Sequence, residues 1–179
     1  RKRLDRDYSL SIWSAGCATG EEPYSIAMEV VEAIPDFSLW KIRIIASDIS
    51  LRCLEIANKA VYPAEKLRDV PEKYMLKCFK QSGENFEVKD SIKKFVVFDY
   101  HNLKHENGVA SVDIIFCRNV MIYFDAEEQK RIVSRFQGVL NTRGYLFLGH
   151  AETLNGMANG NFRFIYHNKG TAYQKVEHE

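Results

Sequence analysis

Gly16-Cys17-Ala18-Thr19-Gly20, followed at once by Glu21-Glu22-Pro23, is the stretch whose residue types and spacing could do chemistry. The two glycines let a loop backbone approach a ligand where a Cβ would clash. A diphosphate at a helix start wants bare N–H groups with no anions beside them. Glu21 and Glu22 stand at that mouth, so a cationic ligand suits it better, such as the ammonium of a methionine-derived cofactor. Either glutamate alone could instead simply complement the dipole of the helix that follows. A further acid, Asp48, closes the β-branched run Ile42-Arg43-Ile44-Ile45-Ala46-Ser47. Nucleotide-binding folds hydrogen-bond ribose hydroxyls at that position, although a turn residue is also common there. A third group, Arg118, Asn119 and Tyr123, follows Val112-Asp113-Ile114-Ile115-Phe116-Cys117. Chemistry in open α/β sheets gathers at the carboxyl ends of strands near the switch point, which makes these three the best-placed polar groups in the chain.

The elements that position these groups alternate. Leu10, Ile12 and Trp13 form a strand before the glycine loop. From about Pro23 to Ala33, Ile26, Ala27, Val30 and Val31 make one apolar stripe at helical spacing, and Pro35 stops it. Ser50 reads as the N-cap of a helix carrying Leu51, Leu54 and Ala57. From Val61 to Lys94 the rhythm breaks. Leu67 to Phe79 suggests a short helix after Pro71, and Phe86–Lys89 with Ile92–Phe95 reads as an antiparallel hairpin around Asp90-Ser91, so this region is an insertion. The sheet resumes at Phe95–Phe98, whose far end places Asn102 and the Leu103 backbone where a purine edge could lie. Asp125 with Glu128 predicts a capped helix burying Ile132, Val133, Phe136, Val139 and Leu140, ended by Asn141 and Gly144. Tyr145–Leu148 is a further strand, with His150, Glu152 and Thr153 just past it. A terminal hairpin pairs Phe162–Tyr166 with Thr171–Gln174 around Asn168-Lys169-Gly170.

With 179 residues, 46% of them hydrophobic, the chain is long enough for one globular domain with a sizeable core. A formal net charge of +1, with Arg1-Lys2-Arg3 as the densest basic block, gives no large footprint for nucleic acid. Cys17, Cys53, Cys78 and Cys117 lack the paired spacing of a zinc site or disulfide frame and read as reduced thiols of the cytoplasm. No run reaches the roughly 20 apolar residues of a membrane span. A charged start without Met suggests a domain excised from a longer chain.

Four stretches, "WSAGCATGEEPYSIAM", "ASDIS", "IFCRNVMIYFD" and "GHAETL", in this order, closely resemble the chemotaxis receptor glutamate methyltransferases of the CheR type. The resemblance runs over nearly the whole chain. It implies a class I S-adenosylmethionine-dependent methyltransferase fold: a Rossmann-like, mostly parallel seven-stranded sheet with a C-terminal antiparallel hairpin and a small inserted antiparallel β-subdomain at about 61–94. It also implies a bacterial enzyme of the cytoplasm, monomeric, acting on the cytoplasmic domains of chemoreceptors. By this resemblance Gly16 belongs to the cofactor loop, Glu22 binds the methionine end of S-adenosylmethionine and Asp48 its ribose. Asn102 and Leu103 lie at the adenine, while Arg118, Asn119 and Tyr123 line the methionine and transfer region. The resemblance also implies an N-terminal helical domain in the family, which these 179 residues are not expected to contain. The short loop Gln81-Ser82-Gly83-Glu84-Asn85 looks like that of members that dock without a receptor C-terminal pentapeptide.

The chemistry implied needs little apparatus. A glutamate is ionised at neutral pH, with a reference pKa of about 4.3, so it requires no general base to attack a sulfonium methyl. The absence of a Ser/His/Asp or Cys/His set is compatible with this, and catalysis would rest on positioning and exclusion of water. Tyr123 could orient the acceptor carboxylate, and Arg118 could fix an anionic group by paired hydrogen bonds. Two other readings remain: the same cofactor with another acceptor, and a non-catalytic module that binds S-adenosylmethionine. Amino-group methylation usually comes with an Asn/Asp-Pro-Pro-aromatic turn, which Asn119-Val120-Met121-Ile122 lacks.

Overall fold

The computed structural model describes all residues except 1, 3, 155, 158, 159, 168, 169, 178 and 179, and 166, 167 and 170 by backbone only. It is an α/β fold whose main sheet has seven strands, mostly parallel, beside a separate three-stranded antiparallel sheet. The chain divides into two compact units: residues 1–9 with 17–100, and residues 10–16 with 101–179. The chain passes between them after Ser9, after Gly16 and after Tyr100.

In the first unit, β2 (Lys41–Asp48) pairs in parallel with β6 (Val96–Tyr100), Ile44 opposite Val96 and Asp48 opposite Tyr100. Two helices accompany them, α1 (Glu21–Ala33) and α2 (Leu51–Lys59). Helix α1 starts two residues earlier than its proline suggests, because Gly20 supplies the cap backbone and both acids fall in the first turn. Ala46 of β2 and Leu54 of α2 bury Cys17 between them, with Val96 and Phe98 packed against this cluster. Tyr24 of α1 sits edge-on to Phe98 and donates its hydroxyl to the Ala57 carbonyl at 3.0 Å.

The insertion carries β3 (Val61–Pro63), α3 (Glu72–Cys78), β4 (Phe79–Ser82), β5 (Asn85–Val88) and the single turn α4 (Asp90–Lys93). Its strands run in the order β3-β5-β4, all antiparallel. The expected hairpin around Asp90-Ser91 is therefore corrected. The reversal lies at Gly83-Glu84, where Gly83 has φ +63° and Ser82 pairs directly with Asn85. Asp90 instead opens α4 and bridges Lys93 at 2.7 Å. Helix α3 is tied to α1 by the Tyr74 hydroxyl on Glu29 (2.8 Å) and by Lys73 and Lys77 on Glu32.

In the second unit, β1 (Ser9–Ala15), whose residues from Leu10 onward belong here, pairs in parallel with β7 (Val112–Cys117), Ile12 opposite Ile114. β7 pairs in parallel with β8 (Leu140–Leu148), and β8 runs antiparallel to β10 (Gly170–Lys175), which pairs with β9 (Phe162–His167). Part of the turn expected for the last hairpin, Asn168-Lys169, lies outside the described residues. Helix α5 (Ala126–Val139) buries Ile132, Val133 and Phe136, with Phe136 edge-on to Trp13 at 5.3 Å. Asn141 and Gly144 do not end this helix as separate breakers but lie inside β8. Pairing is irregular opposite Gly144, between Val112 and Ile114, and a Cβ on Gly144 would stand 2.8 Å from the Asp113 carbonyl.

Candidate functional site

In the first unit the loop Cys17–Gly20 is stitched to the end of β2. The Cys17 N–H donates to the Ser47 carbonyl at 2.9 Å, and the Ala18 N–H donates to Asp48 Oδ2 at 2.8 Å. Ala18 has φ +47°, a left-handed conformation costly for a residue with a Cβ; the bond to Asp48 helps hold it. Gly20 has φ +92°, and a Cβ there would stand 2.8 Å from Ala57 Cβ and 2.9 Å from the Tyr62 hydroxyl oxygen. That hydroxyl donates to the Thr19 carbonyl at 2.8 Å, and its burial raises the Tyr62 pKa well above the usual phenol range. The other Asp48 oxygen accepts the Ser50 N–H at 2.9 Å, and Ser50 in turn caps α2 by accepting the Cys53 N–H.

The two glutamates at the head of α1 part company. Glu21 accepts from Thr19 Oγ1 at 2.6 Å and pairs with Lys66. Burial pushes its carboxyl up, but the bonds from Lys66 and Thr19 outweigh that and leave its pKa below the usual value. Glu22 is half-buried in the same turn. Cys17 is buried and close to Asp48; desolvation first and that carboxylate second push its thiol up to about 12, so it is no nucleophile at neutral pH.

In the second unit Gly16, with φ +86°, faces Val120: a Cβ on it would come 2.5 Å from Val120 Cγ2. The Cβ sides of Gly16 and Gly20 therefore face protein atoms, which is a reason for glycine that the sequence reading did not contain. Arg118, Asn119 and Tyr123 lie together on the segment after β7, with Arg118 and Asn119 exposed and Tyr123 80% exposed. Tyr123 ends a single 3-10 turn, Met121–Tyr123, whose Met121 carbonyl and following Phe124 carbonyl both accept from the Gln129 side-chain amide at 2.9 and 3.0 Å. Asp125 then caps α5 by accepting the Glu128 N–H at 2.9 Å, as its spacing predicts.

The residue that holds this segment is Glu152. Its carboxylate, 6% exposed, accepts the backbone N–H groups of Asn119 (2.9 Å), Val120 (2.8 Å), Met121 (2.8 Å) and Gly149 (2.6 Å). The sequence placed Glu152 only near a strand end; the "GHAETL" stretch was the available signal. His150 of the same stretch is exposed. Asn102 and Leu103 are tied elsewhere: the Asn102 side-chain oxygen accepts the Lys104 N–H, and the buried Leu103 accepts at its carbonyl from Arg135 of α5 at 3.0 Å. Within the second unit, then, Gly16 and the Arg118–Tyr123 segment come together, and within the first the Cys17–Gly20 loop and Asp48 do.

The family model described as "CheR methyltransferase, SAM binding domain" matches residues 1–171. A chemotaxis protein methyltransferase of Borreliella burgdorferi is 39% identical over 160 residues, which is 87% of this chain and 56% of that protein. Chemotaxis protein methyltransferase 2 of Pseudomonas aeruginosa is 39% identical over 158 residues, covering 85% of this chain and 56% of the relative. The chain thus spans little more than half the length of these relatives. Among solved structures, the N-methyltransferase NodS of Bradyrhizobium japonicum with S-adenosylhomocysteine superposes with a TM-score of 0.57 at 10% identity, over 97% of this chain and 82% of that one. Magnesium protoporphyrin IX methyltransferase of Synechocystis gives a TM-score of 0.53 at 15% identity, over 97% and 74%. These two likenesses concern the fold.

Proposed function

The chain belongs to the family of the CheR methyltransferase SAM-binding domain, and from that premise we propose that it is the catalytic domain of an S-adenosylmethionine-dependent protein-glutamate O-methyltransferase acting on chemoreceptors. The observation that carries the reading is the family match over residues 1–171, almost the whole chain with its insertion at about 61–94. Chemotaxis methyltransferases among the relatives support chemoreceptor cytoplasmic domains as the partner and the bacterial cytoplasm as the setting. Docking independent of a receptor C-terminal pentapeptide is the mode we propose.

The residues fit the cofactor unit by unit. Each Asp48 oxygen takes one backbone N–H, from Ala18 or Ser50, and keeps a second lone pair for a ribose hydroxyl. Glu22, in the first turn of α1, offers an anion to an ammonium. Gly16, Asn102, Leu103, Arg118, Asn119 and Tyr123 complete the proposed cofactor set, with Asn102 and Leu103 assigned to the adenine. S-adenosylmethionine, when bound, supplies a methyl carbon to which a glutamate carboxylate oxygen bonds as the C–S bond breaks, its electron pair staying on sulfur. No proton has to move, so this chain's work is positional. Tyr123 offers a hydroxyl to the incoming carboxylate, and Arg118 a guanidinium to an anionic group.

The test is methyl transfer from radiolabelled S-adenosylmethionine to chemoreceptor cytoplasmic fragments by the natural full-length protein. The expected product is a label released by mild alkali, as an ester must be. An alkali-stable label means another acceptor; cofactor binding without transfer to any receptor means a binding module.

A further inference from the structure

Glu152 forms an unusual junction. One buried side chain accepts four backbone N–H groups, three of them consecutive, from Asn119, Val120 and Met121. The fourth comes from Gly149, three residues before it. The bonds divide evenly: Oε2 takes Asn119 and Gly149, Oε1 takes Val120 and Met121. Asn119, whose N–H is among these bonds, is in a left-handed conformation, φ +58°, which asparagine adopts more readily than most residues with a Cβ. Gly149 is part of the same device, since a Cβ on it would collide with the Asn119 side-chain oxygen and stand 2.7 Å from Glu152 Oε2. Gln129 fixes the other end of the turn.

We infer that Glu152 is a positioning residue for the methyl-transfer site: its carboxylate sets the backbone of Arg118–Tyr123 so that Asn119 and Tyr123 stand ready for cofactor and acceptor. This rests on the functional reading above. Only a carboxylate offers acceptors on both terminal atoms. Glutamine has the same shape, but its amide nitrogen would point a donor at two N–H donors, either Asn119 and Gly149 or Val120 and Met121. Buried donors left facing a donor are costly, and the segment relieves the cost by moving away. Aspartate keeps both acceptor atoms on a stem one carbon shorter.

The experiment uses the natural full-length protein with Glu152→Gln, Glu152→Asp and, as a core control, Val133→Ala, which removes buried volume on α5 and leaves all four Glu152 hydrogen bonds in place. S-adenosylhomocysteine affinity is read by calorimetry well below each unfolding midpoint, together with hydrogen exchange on peptides covering Arg118–Tyr123. Glu152→Gln is expected to weaken binding about tenfold and to raise exchange in that peptide. Glu152→Asp should keep more affinity than Gln although it fits the shape less well, and Val133→Ala should leave affinity within about twofold even where its midpoint falls as far. If Glu152→Gln does not fold, Asp against the control carries the same comparison. Affinity in Glu152→Gln matching the wild type, or Gln outperforming Asp, overturns the inference. Failure of the wild type itself to bind overturns the functional reading, and this inference with it.

Discussion

The loop Cys17–Gly20 of the first unit and the segment Arg118–Tyr123 of the second both leave the carboxyl end of a strand, and both contain left-handed non-glycine residues, Ala18 and Asn119. They are fixed by different means. The first is held mainly by shape. Gly20 is pressed against Ala57 and Tyr62, and its neighbours bond one at a time to Ser47, Asp48 and Tyr62. The second depends on a single charge, with three successive N–H groups converging on Glu152. Packing spreads its cost over many small contacts, whereas a buried carboxylate concentrates it in one side chain. The first loop should therefore fail through lost volume or added bulk, and the second through lost charge.

The largest effect expected on this view is at Gly20. Gly20→Ala adds a Cβ 2.8 Å from Ala57 Cβ, and the nearby Ala57 Cα is backbone that cannot swing aside. The left-handed φ costs about 1–2 kcal/mol and the overlap about 1–3 kcal/mol more. Urea unfolding should show a loss of roughly 2–5 kcal/mol. Gly83→Ala is the companion, since its φ is +63° but nothing lies within 4 Å of the added carbon. It should lose only about 1–2 kcal/mol. Equal losses at the two positions would show that conformation alone, not packing, demands glycine at 20.

Asp48 comes next. Asp48→Ala removes the acceptor for the Ala18 and Ser50 N–H groups and, in the proposed site, for the ribose. S-adenosylmethionine and S-adenosylhomocysteine, which share that ribose, should both bind more weakly by roughly 1.5–3 kcal/mol. Titration with both ligands checks it. Unchanged affinity alongside reduced stability would leave Asp48 as a tether of the loop and nothing more.

How far these features were legible follows from what kind of interaction makes them. The strand–loop–helix at 9–33, the cap at Ser50 and the cap at Asp125 depend on local spacing, and the structure has them where the sequence put them, within two residues. The reversal at Gly83-Glu84 was misplaced because Phe86–Val88 alternates equally well with either neighbour. Only pairing with Phe79–Ser82 on one side and Val61–Pro63 on the other decides the register. Gly144 was misread for a similar reason, as its role depends on the Asp113 carbonyl across the sheet. Glu152 was invisible as a clamp because its four partners lie up to 33 residues away and are backbone groups, which carry no residue signature.

Tyr123 sharpens the comparison on the side of chemistry. Its side chain is 80% exposed and its backbone N–H bonds to Val120, so Tyr123→Phe leaves the segment's scaffold in place. Stability and cofactor affinity should stay near wild type. If the hydroxyl orients the acceptor carboxylate, single-turnover transfer should slow by roughly 10- to 100-fold, or about 1.4–2.7 kcal/mol. An unchanged rate removes the Tyr123 hydroxyl from the reaction, and a parallel fall in cofactor affinity assigns that hydroxyl, and not the ring alone, to the cofactor.

The smallest effect is expected at Glu21, where the first loop does use charge. Its carboxyl pairs with Lys66 and Thr19, and its pKa is depressed in the folded state. A depressed acid contributes stability above its unfolded pKa, about 4.3, and loses it as pH falls through the lower folded value. Glu21 is 42% exposed and Lys66 47%, so screening leaves the pair worth less than about 1 kcal/mol. Glu21→Gln should cost that little near pH 7, and the difference from wild type should vanish in acid, below both the unfolded and the lower folded value. Paired unfolding curves at the two pH values check the sign. The same variant also divides the two acids at the mouth of α1. Glu21→Gln should leave S-adenosylhomocysteine affinity unchanged, because its charge is already taken by Lys66, whereas Glu22→Gln should weaken it by removing the anion proposed to face the ammonium. Weakening by Glu21→Gln alone would reverse the assignment and make the ion pair, not Glu22, the cofactor's partner.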